Sequence, residues 1–173
     1  NPAYSGGAMT TLSVHVEPDN ESTVGWDWYQ KLADNDVKME QSNGTLLTKV
    51  ASGEYKGAVI VDYLPRNSKN EGSPIDYVYP ESGSVLIPTP LCLMDNMSDD
   101  DKAAAEAFVD YMFDIETQKL FVQQGYVPMI SEAAEGTEVP TIDDIKVLPM
   151  DVNYMRENSS SMLEKFTSIF GTQ

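Results

Sequence analysis

The sequence predicts an α/β fold: a lobe with a central, mostly parallel sheet, followed by a helical C-terminal segment. Two observations lead to this fold class. The run Ala58-Val59-Ile60-Val61 is apolar without alternation, which is typical of a central strand covered on both faces. In addition, segments with strand patterns alternate with segments of helical periodicity before a helical tail.

Two helices are predicted near the start of the chain. The first runs from Gly6 to about Val16, and Pro18 ends it. The second begins after Ser22 or Thr23, either of which is a common N-cap residue. Its aromatic side chains recur near helical spacing and are expected in the core: Trp26, Trp28 and Tyr29.

Three short strands are predicted, at residues 36–40, 57–63 and 75–79. The second is the central strand, and Asp62 and Tyr63 stand at its carboxyl end. A third helix, between the first two strands, starts at residues 42–45 and stops at Gly53. Residues 84–94 are expected to be extended, with two prolines that keep them away from a sheet centre.

The later part of the chain is predicted to be mainly helical. Ser98 and Asp101 suit a capping box at the start of one helix. Asp114 caps the next helix, and Gly125 ends it. A last amphipathic helix is predicted from five apolar residues: Met162, Leu163, Phe166, Ile169 and Phe170.

The composition indicates a folded, acidic protein. Of the 173 residues, 41% are hydrophobic and 23% are charged, and the formal net charge is −17. This charge argues against a nucleic-acid partner, because a phosphate backbone requires a basic surface. It leaves an anionic small molecule possible, because backbone N–H groups bind anions without a basic side chain.

The single cysteine, Cys92, lies in an apolar run and is expected to be a buried structural thiol. One cysteine excludes an internal disulfide and a cysteine-rich metal site. The sequence carries no secretory signal and no membrane span. Because the chain opens on Asn1 and not on Met, we expect it to be a fragment or a processed form.

The opening segment "NPAYSGGAM" allows three roles for Ser5: a nucleophile, part of an anion-binding helix start, or a helix cap. The nucleophile role needs a base, and the one histidine, His15, lies ten positions further on. Ten helical residues span about 15 Å, which is too far for a hydrogen bond. The anion-binding role is favoured by Gly6 and Gly7, because small residues let a ligand approach the unpaired N–H groups.

The segment Ser42-Asn43-Gly44-Thr45 repeats this pattern at a second predicted helix start. Either serine also suits an ordinary helix cap. The ligand interpretation gains weight if both helix starts share a cleft with Asp62, because ligands of open α/β sheets lie beyond the carboxyl ends of the strands. The sequence therefore predicts a small-molecule site built largely from main-chain donors.

A metal site is the remaining alternative. Four tyrosines offer hard oxygen ligands for Fe(III): Tyr4, Tyr63, Tyr77 and Tyr79. None of them is adjacent to another in the sequence, and no His/Cys cluster accompanies them. The run Asp99-Asp100-Asp101 is interpreted as a solvated helix start and not as a calcium site. No cofactor and no metal is therefore predicted.

Several segments resemble bacterial extracellular solute-binding proteins of ABC transporters, of the type II group that includes binders of iron(III), phosphonates and sugar phosphates. The segments occur in the family's order over residues 1–130: "NPAYSGGA", "GWDWYQKLADNDVKM", "SNGTLLTKVASGEYKGAVIVDY", "YVYPESGSVLIPTPLCLM" and "AAAEAFVDYMFDIETQKLFVQQGYVPMI". The last is the most specific, because it is similar to the family's late helix pair ending in "GYxP".

The resemblance implies a periplasmic-binding-protein-like fold with two α/β lobes that close on a ligand. Residues 1–94 are similar to the second, ligand-binding lobe of that fold. Residues 95–173 are similar to the C-terminal helical segment that returns to the first lobe. The first lobe itself is expected to be absent from this chain.

The resemblance also implies the ligand-binding residues. The family's first cleft loop matches Tyr4, Ser5 and Gly6, and its second matches Ser42, Asn43, Gly44 and Thr45. Its third matches Asp62 and Tyr63, and a fourth contact matches Glu81. Iron-binding members carry two adjacent tyrosines at the third loop, where this chain has Val61-Asp62-Tyr63-Leu64. That difference favours an organic oxyanion over ferric iron.

The function expected from these observations is that of a non-enzymatic solute-binding subunit of an ABC importer. It would capture a small phosphonate or sugar phosphate in an interlobe cleft and pass it to a membrane permease. Its place would be extracytoplasmic, in the periplasm or on a lipid anchor at the cell surface. The alternatives are a ferric-iron binder, a Ser5-dependent hydrolase and the ligand-sensing domain of a regulator.

Overall fold

The fold is built almost entirely from helices. A computed structural model describes residues 1–171. Within these residues the helices α1 to α7 are Gly6–Val16, Gly25–Asp34, Asn43–Ala51, Tyr63–Asn70, Asp99–Met112, Ile115–Gln123 and Val152–Phe170. Two short 3-10 helices are Ser131–Ala134 and Ile142–Asp144.

The chain divides into two compact units. Unit 1 comprises Asn1–Ile60, Val78–Ile87 and Lys146–Gln173, and unit 2 comprises Val61–Tyr77 and Pro88–Ile145. Each unit collects segments that are distant in the sequence. The sequence-based division into residues 1–94 and 95–173 stays a prediction.

The core of unit 1 lies among α1, α2 and α7. Its buried residues are Leu12, Val16, Tyr29, Met162 and Phe166. Aromatic side chains pack around them, including both tryptophans, Trp26 and Trp28. The predicted core residues of α2 and α7 are therefore confirmed as parts of this core.

A buried polar cluster joins the end of α1 to the start of α7. The side-chain amide of Asn20 donates to the carbonyl oxygens of Val14 and Pro149, at 2.8 and 2.9 Å. It also donates to the Glu17 carboxylate, which in turn accepts from the Asp151 N–H at 3.0 Å. Because each buried polar group here is hydrogen-bonded, the cluster fixes how α7 begins relative to α1.

Unit 2 has a much smaller apolar core. Val122 of α6 packs against Ala133 and Ala134 of the first 3-10 helix, with Val139 beside them. Helix α5 packs on α6 but buries none of its residues. Its Phe108 and Tyr111 are 54% and 58% exposed. The stability of unit 2 therefore depends more on polar contacts than that of unit 1 does.

The predicted α/β fold with a central parallel sheet is wrong. Among residues 1–171 the only β contact is an isolated parallel bridge between Ser84 and Val147. The predicted central strand is extended but unpaired, and Val59 within it is 70% exposed. The predicted strands at 36–40 and 75–79 are likewise unpaired, and Val78 is 87% exposed.

The error has a physical cause. An apolar run indicates an extended segment that favours burial, but a strand also needs a neighbouring backbone to accept and donate its hydrogen bonds. That neighbour is a property of the tertiary structure and not of the run itself. Here the described segments offer none, so the runs stay extended without forming a sheet.

The predicted helices are confirmed more closely. The serines Ser5, Ser42 and Ser98 are the N-caps of α1, α3 and α5, and Asp114 is the N-cap of α6. The cap predicted for α2 is wrong, because that helix begins after Val24 without a side-chain cap. Helix α4, by contrast, was not predicted from the sequence.

The side chain of Cys92 is exposed, so the prediction of a buried thiol is wrong.

None of the helices in residues 1–171 combines the length and the apolar character that crossing a bilayer requires.

Candidate functional site

The start of α1 holds the first group of predicted site residues. The Ser5 hydroxyl accepts a hydrogen bond from the Ala8 N–H at 3.3 Å, and the Ser5 carbonyl accepts from the Met9 N–H at 3.0 Å. Within the described chain no hydrogen bond uses the N–H of Gly6 or Gly7. Ser5 is thus a helix cap whose hydroxyl proton stays available, beside two donors of the kind that bind anions.

The space around this helix start is open on one side. A Cβ built on Gly6 would meet no atom within 4 Å, whereas one on Gly7 would lie 3.3 Å from Ile87 Cδ1. Tyr4, directly before the cap, is 63% exposed. A ligand can therefore approach the main chain at Gly6 without displacing a side chain.

The start of α3 repeats this arrangement. The Ser42 hydroxyl accepts from the Thr45 N–H at 3.1 Å and lies 2.9 Å from the Thr45 hydroxyl oxygen. In the described chain the N–H groups of Asn43 and Gly44 take part in no hydrogen bond. The second predicted loop is thus also a capped helix start with two unused donors.

A main-chain contact links the segments that lead into these two helices. The amino group of Asn1 donates to the Glu40 carbonyl oxygen at 3.3 Å. Asn1 lies four residues before Ser5, and Glu40 lies two residues before Ser42. The contact therefore ties the segment before α1 to the segment before α3, both within unit 1.

A cation on α3 itself, Lys49, is already paired. Lys49 Nζ lies 2.8 Å from Glu40 Oε1 and 3.0 Å from Glu54 Oε1. The Tyr55 hydroxyl joins this cluster by donating to Glu40 at 2.6 Å. These hydrogen bonds lower the pKa of Glu40 and raise that of Lys49. An anion at the start of α3 would depend on main-chain donors.

The third predicted loop lies in unit 2, directly before α4. Asp62 is the N-cap residue of α4, and its carboxylate accepts a hydrogen bond from Arg66 one turn later. Arg66 is only 2% exposed, although it carries a charge. It also donates to the Gly125 carbonyl oxygen and, at 3.3 Å, to the Tyr77 hydroxyl.

Tyr63 has an aromatic partner that the sequence did not indicate. Its ring centroid lies 4.6 Å from that of Tyr126, and the two rings are tilted by 32°. A hydrogen bond between the two hydroxyls, together with burial, raises the pKa of Tyr63. Tyr126 is 44% exposed, so this pair lies partly at the surface.

Glu81 lies in the turn between Pro80 and Gly83 of unit 1, and its side chain is exposed. The Lys146 ammonium donates to its carbonyl oxygen at 3.0 Å. The predicted site residues therefore divide between the units, with Asp62 and Tyr63 in unit 2 and the others in unit 1. Their convergence on one ligand stays a prediction.

The interpretation of His15 as a structural residue agrees with its surroundings. Its Nδ1 lies 3.1 Å from the Tyr29 hydroxyl, and its ring packs edge-on against Trp28 at 5.5 Å. Burial lowers the pKa of His15 from 6.5 to about 4. The single histidine is thus a neutral part of the contact between α1 and α2.

Metal-binding groups were also sought. The described residues contain no group of three or more His, Cys, Asp or Glu side chains arranged to hold an ion. At the start of α5 the Asp101 carboxylate accepts from the Ser98 hydroxyl at 2.6 Å, as in a helix cap. This agrees with the interpretation of residues 99–101 as a helix start.

Unit 2 also contains a shallow hollow of about 730 Å³ between α4, α6 and the segment after α6. Its lining includes three carboxylates, Glu132, Glu135 and Glu138, beside Lys119. None of the predicted ligand residues lines it. Arg66 also lines the hollow, but it is already bound to Asp62 and to the Gly125 carbonyl oxygen.

Arg66 and Tyr126 are the residues of interest that sequence reasoning missed. A signal for Arg66 was present, because Asp62 and Arg66 have the i,i+4 spacing of a helical ion pair. Tyr126 is the tyrosine of the "GYxP" motif, but nothing in the sequence indicated its pairing with Tyr63, which lies 63 positions earlier.

Comparison with known proteins identifies the family. The sequence profile of the bacterial extracellular solute-binding proteins matches residues 2–158. The chain belongs to this family. Comparisons with curated proteins and with solved structures gave no match.

Membership in this family has direct consequences. It makes the chain an extracellular solute-binding protein of transporters, with a small-molecule ligand and an extracytoplasmic place. Such proteins typically bind their solutes without transforming them.

Proposed function

We propose that this protein is the solute-binding subunit of an ABC importer for a small organic oxyanion, of the phosphonate or sugar-phosphate type. It would deliver this solute to a membrane permease from the periplasm or from a lipid anchor at the cell surface. The residues proposed to contact the solute are those of the two serine-capped helix starts, with Asp62, Tyr63 and Glu81.

The observation that supports this proposal is the hydrogen bond between Asn1 and Glu40, which joins the segments that lead into the two helix starts. Each start offers two N–H donors without a partner in the described chain, at Gly6 and Gly7 and at Asn43 and Gly44. Donors of this kind, aligned with a helix dipole, favour phosphoryl oxygens.

The proposed mode of binding relies on neutral donors. Lys49 is occupied by Glu40 and Glu54, and Arg66 is occupied by Asp62 and the Gly125 carbonyl. Binding by neutral main-chain groups explains how a chain with a net charge of −17 would hold an anion. A carboxylate such as that of Asp62 accepts hydrogen bonds, as a solute hydroxyl or ammonium would require.

Ferric iron is the second candidate, and one observation favours it. The sequence lacks the adjacent tyrosine pair of the iron-binding members, but the ring centroids of Tyr63 and Tyr126 lie 4.6 Å apart. Their two phenols and the carboxylate of the neighbouring residue Asp62 are hard-oxygen groups of the kind that Fe(III) prefers.

Calorimetric titration of the full-length protein tests the proposal. The panel contains glucose 6-phosphate, 2-aminoethylphosphonate, inorganic phosphate and ferric citrate. We expect saturable binding of at least one organic phosphate or phosphonate. A response to ferric citrate alone, with a visible phenolate-to-iron absorption band, would replace the first candidate with the second.

A paired variant links this binding to the helix start. Gly6→Ala and Gly57→Ala each add a methyl group where no atom lies within 4 Å. Both variants should fold, and only Gly6→Ala should weaken solute binding, because its methyl group lies beside the proposed donors. Equal affinities of the two variants would contradict the role of α1.

A further inference from the structure

The starting point is a buried connection between α4 and the turn at residues 124–126. Arg66 donates hydrogen bonds to the Asp62 carboxylate on its own helix and to the carbonyl oxygen of Gly125. Because the guanidinium is planar and its donors have fixed directions, these bonds determine both distance and orientation. The start of α4 is thereby held against the turn.

A second contact tightens the same connection. The Asn67 side-chain amide donates to the Gln124 carbonyl oxygen at 3.0 Å. Gly125 has a φ of +85°, and a Cβ at this position would lie 2.6 Å from Asn67 Oδ1. The turn thus approaches α4 so closely that only glycine satisfies both the dihedral angle and the available space.

The connection sets the relative positions of two tyrosines. Tyr63 follows Asp62, and Tyr126 follows Gly125, so each tyrosine is next in sequence to a residue that Arg66 binds. Their ring centroids are 4.6 Å apart, with the rings tilted by 32°. The two phenols therefore pack as one pair.

We propose that Tyr126 contacts the solute together with Tyr63, and that Arg66 is the positioning residue that holds the two phenols side by side. This inference rests on the proposed function. It adds to the site a residue from the segment after α6, which neither the sequence motifs nor the family match assigned.

The chemistry of the pair indicates which part of the solute it binds. Each phenol carries one O–H, which can donate a hydrogen bond to a solute oxygen. The ring surfaces offer apolar contact to a carbon skeleton. An organic phosphate or phosphonate should therefore gain more from the pair than inorganic phosphate does.

The first test is a pair of tyrosine variants in the full chain, Tyr126→Phe and Tyr111→Phe. Tyr111 is the control, because it is an exposed tyrosine of the same unit on α5. The probes are glucose 6-phosphate, 2-aminoethylphosphonate and inorganic phosphate. We expect Tyr126→Phe to raise the Kd of the organic probe about tenfold, the effect of losing one hydrogen bond to a charged group. Tyr111→Phe should stay within about twofold of wild type, as expected of a surface substitution.

The second test separates positioning by Arg66 from mere stabilisation. NMR of ¹³Cζ-labelled tyrosine, assigned with Tyr63→Phe, follows the titration of the Tyr63 phenol without any solute. We expect Tyr126→Phe and Arg66→Met to return its pKa towards the ordinary value, and Arg66→Lys to keep part of the upward shift. If Arg66→Met does not fold, Arg66→Lys and Tyr126→Phe still provide the comparison.

The outcomes distinguish this inference from the proposed function. If the organic probe binds Tyr126→Phe as tightly as wild type, the role of Tyr126 is overturned and the proposed function stands. If the Arg66 variants fold with an unchanged Tyr63 titration, the positioning role is overturned. If the wild-type protein binds none of the probes, the proposed function is contradicted, and so is this inference, which rests on it.

Discussion

The guanidinium of Arg66 donates a hydrogen bond to the carbonyl oxygen of Gly125, which lies 59 residues further along the chain. The same side chain binds the Asp62 carboxylate and is only 2% exposed. Unit 2 has a small apolar core, so this buried polar connection carries an unusual share of its stability.

Arg66→Met should destabilise the protein by about 2–4 kcal/mol, because it leaves a buried carbonyl and a partly buried carboxylate without their donor. The matched control is the other arginine, Arg156, which is 73% exposed. Arg156→Met should cost less than about 0.5 kcal/mol. Urea unfolding of both variants measures the difference, and equal effects would contradict a structural role of the Arg66 connection.

Gly125→Ala should destabilise the protein more than Gly53→Ala does. Both glycines have positive φ, at +85° and +78°, so both substitutions carry the strain of about 1 kcal/mol for a left-handed alanine. Only the new Cβ at Gly125 also meets Asn67, at 2.6 Å. In a double-mutant cycle, Asn67→Ala should remove part of the added cost. Strict additivity of the two substitutions would show that the clash does not exist.

The sequence predicted those parts of the fold that depend on neighbours in the chain. Ser5, Ser42 and Ser98 were identified as helix starts because a capping side chain binds a backbone N–H only three residues further along the chain. Helix α4 was missed because its first residue, Tyr63, follows an apolar run and was taken as the end of the strand at residues 57–63. Pro65 in its first turn was the available signal, since proline is tolerated there.

Features that depend on tertiary contacts were not predictable in the same way. The apolar run at residues 58–61 is the same whether or not a second strand lies beside it, and here none does. The pairing of Tyr63 with Tyr126 and the bond from Arg66 to Gly125 also join distant segments. Within the candidate site, the local sequence indicated the capped helix starts. The contacts that position Tyr63, which involve Arg66 and Tyr126, were identified from the structure.

The stability of unit 1 should depend on the protonation of His15. Burial lowers the pKa of this imidazole to about 4, against about 6.5 in an unfolded chain. The unfolded chain therefore binds the proton at a higher pH than the native protein does. The stabilisation by neutral His15 is complete above pH 6.5 and is lost as the pH falls from 6.5 to about 4.

Between pH 7 and pH 5 this effect should remove about 1–2 kcal/mol of the free energy of unfolding. His15→Gln lacks the titrating group and should lose less over the same interval. NMR titration of the single imidazole gives the pKa directly. A midpoint near 6.5 in the folded protein would contradict the buried, neutral histidine.

Cys92 should react with a thiol reagent in the native protein, because its side chain is exposed. Native and urea-unfolded protein should be modified at similar rates with 5,5′-dithiobis(2-nitrobenzoate). Cys92→Ser should change the free energy of unfolding by less than about 0.5 kcal/mol. If the thiol reacts only after unfolding, the result would contradict the exposed position and support the buried cysteine predicted from the sequence.

The role of the helix caps is separable from their effect on stability. Ser5→Ala, Ser42→Ala and Ser98→Ala should each cost about 1 kcal/mol, since each removes an N-cap hydrogen bond. Only the first two should weaken solute binding, by about tenfold each, because Ser98 belongs to no proposed contact. Thermal unfolding and calorimetry of the same samples provide both quantities.

The central claim is that main-chain amides at the starts of α1 and α3 hold the oxyanion of the solute. Its most direct test is a ¹⁵N–¹H NMR titration of the full-length protein with 2-aminoethylphosphonate and with glucose 6-phosphate. The amide signals of Gly6, Gly7, Asn43 and Gly44 should shift together with one saturating dissociation constant. Saturable binding that leaves these four amides unchanged, or no binding of either compound, would contradict the claim.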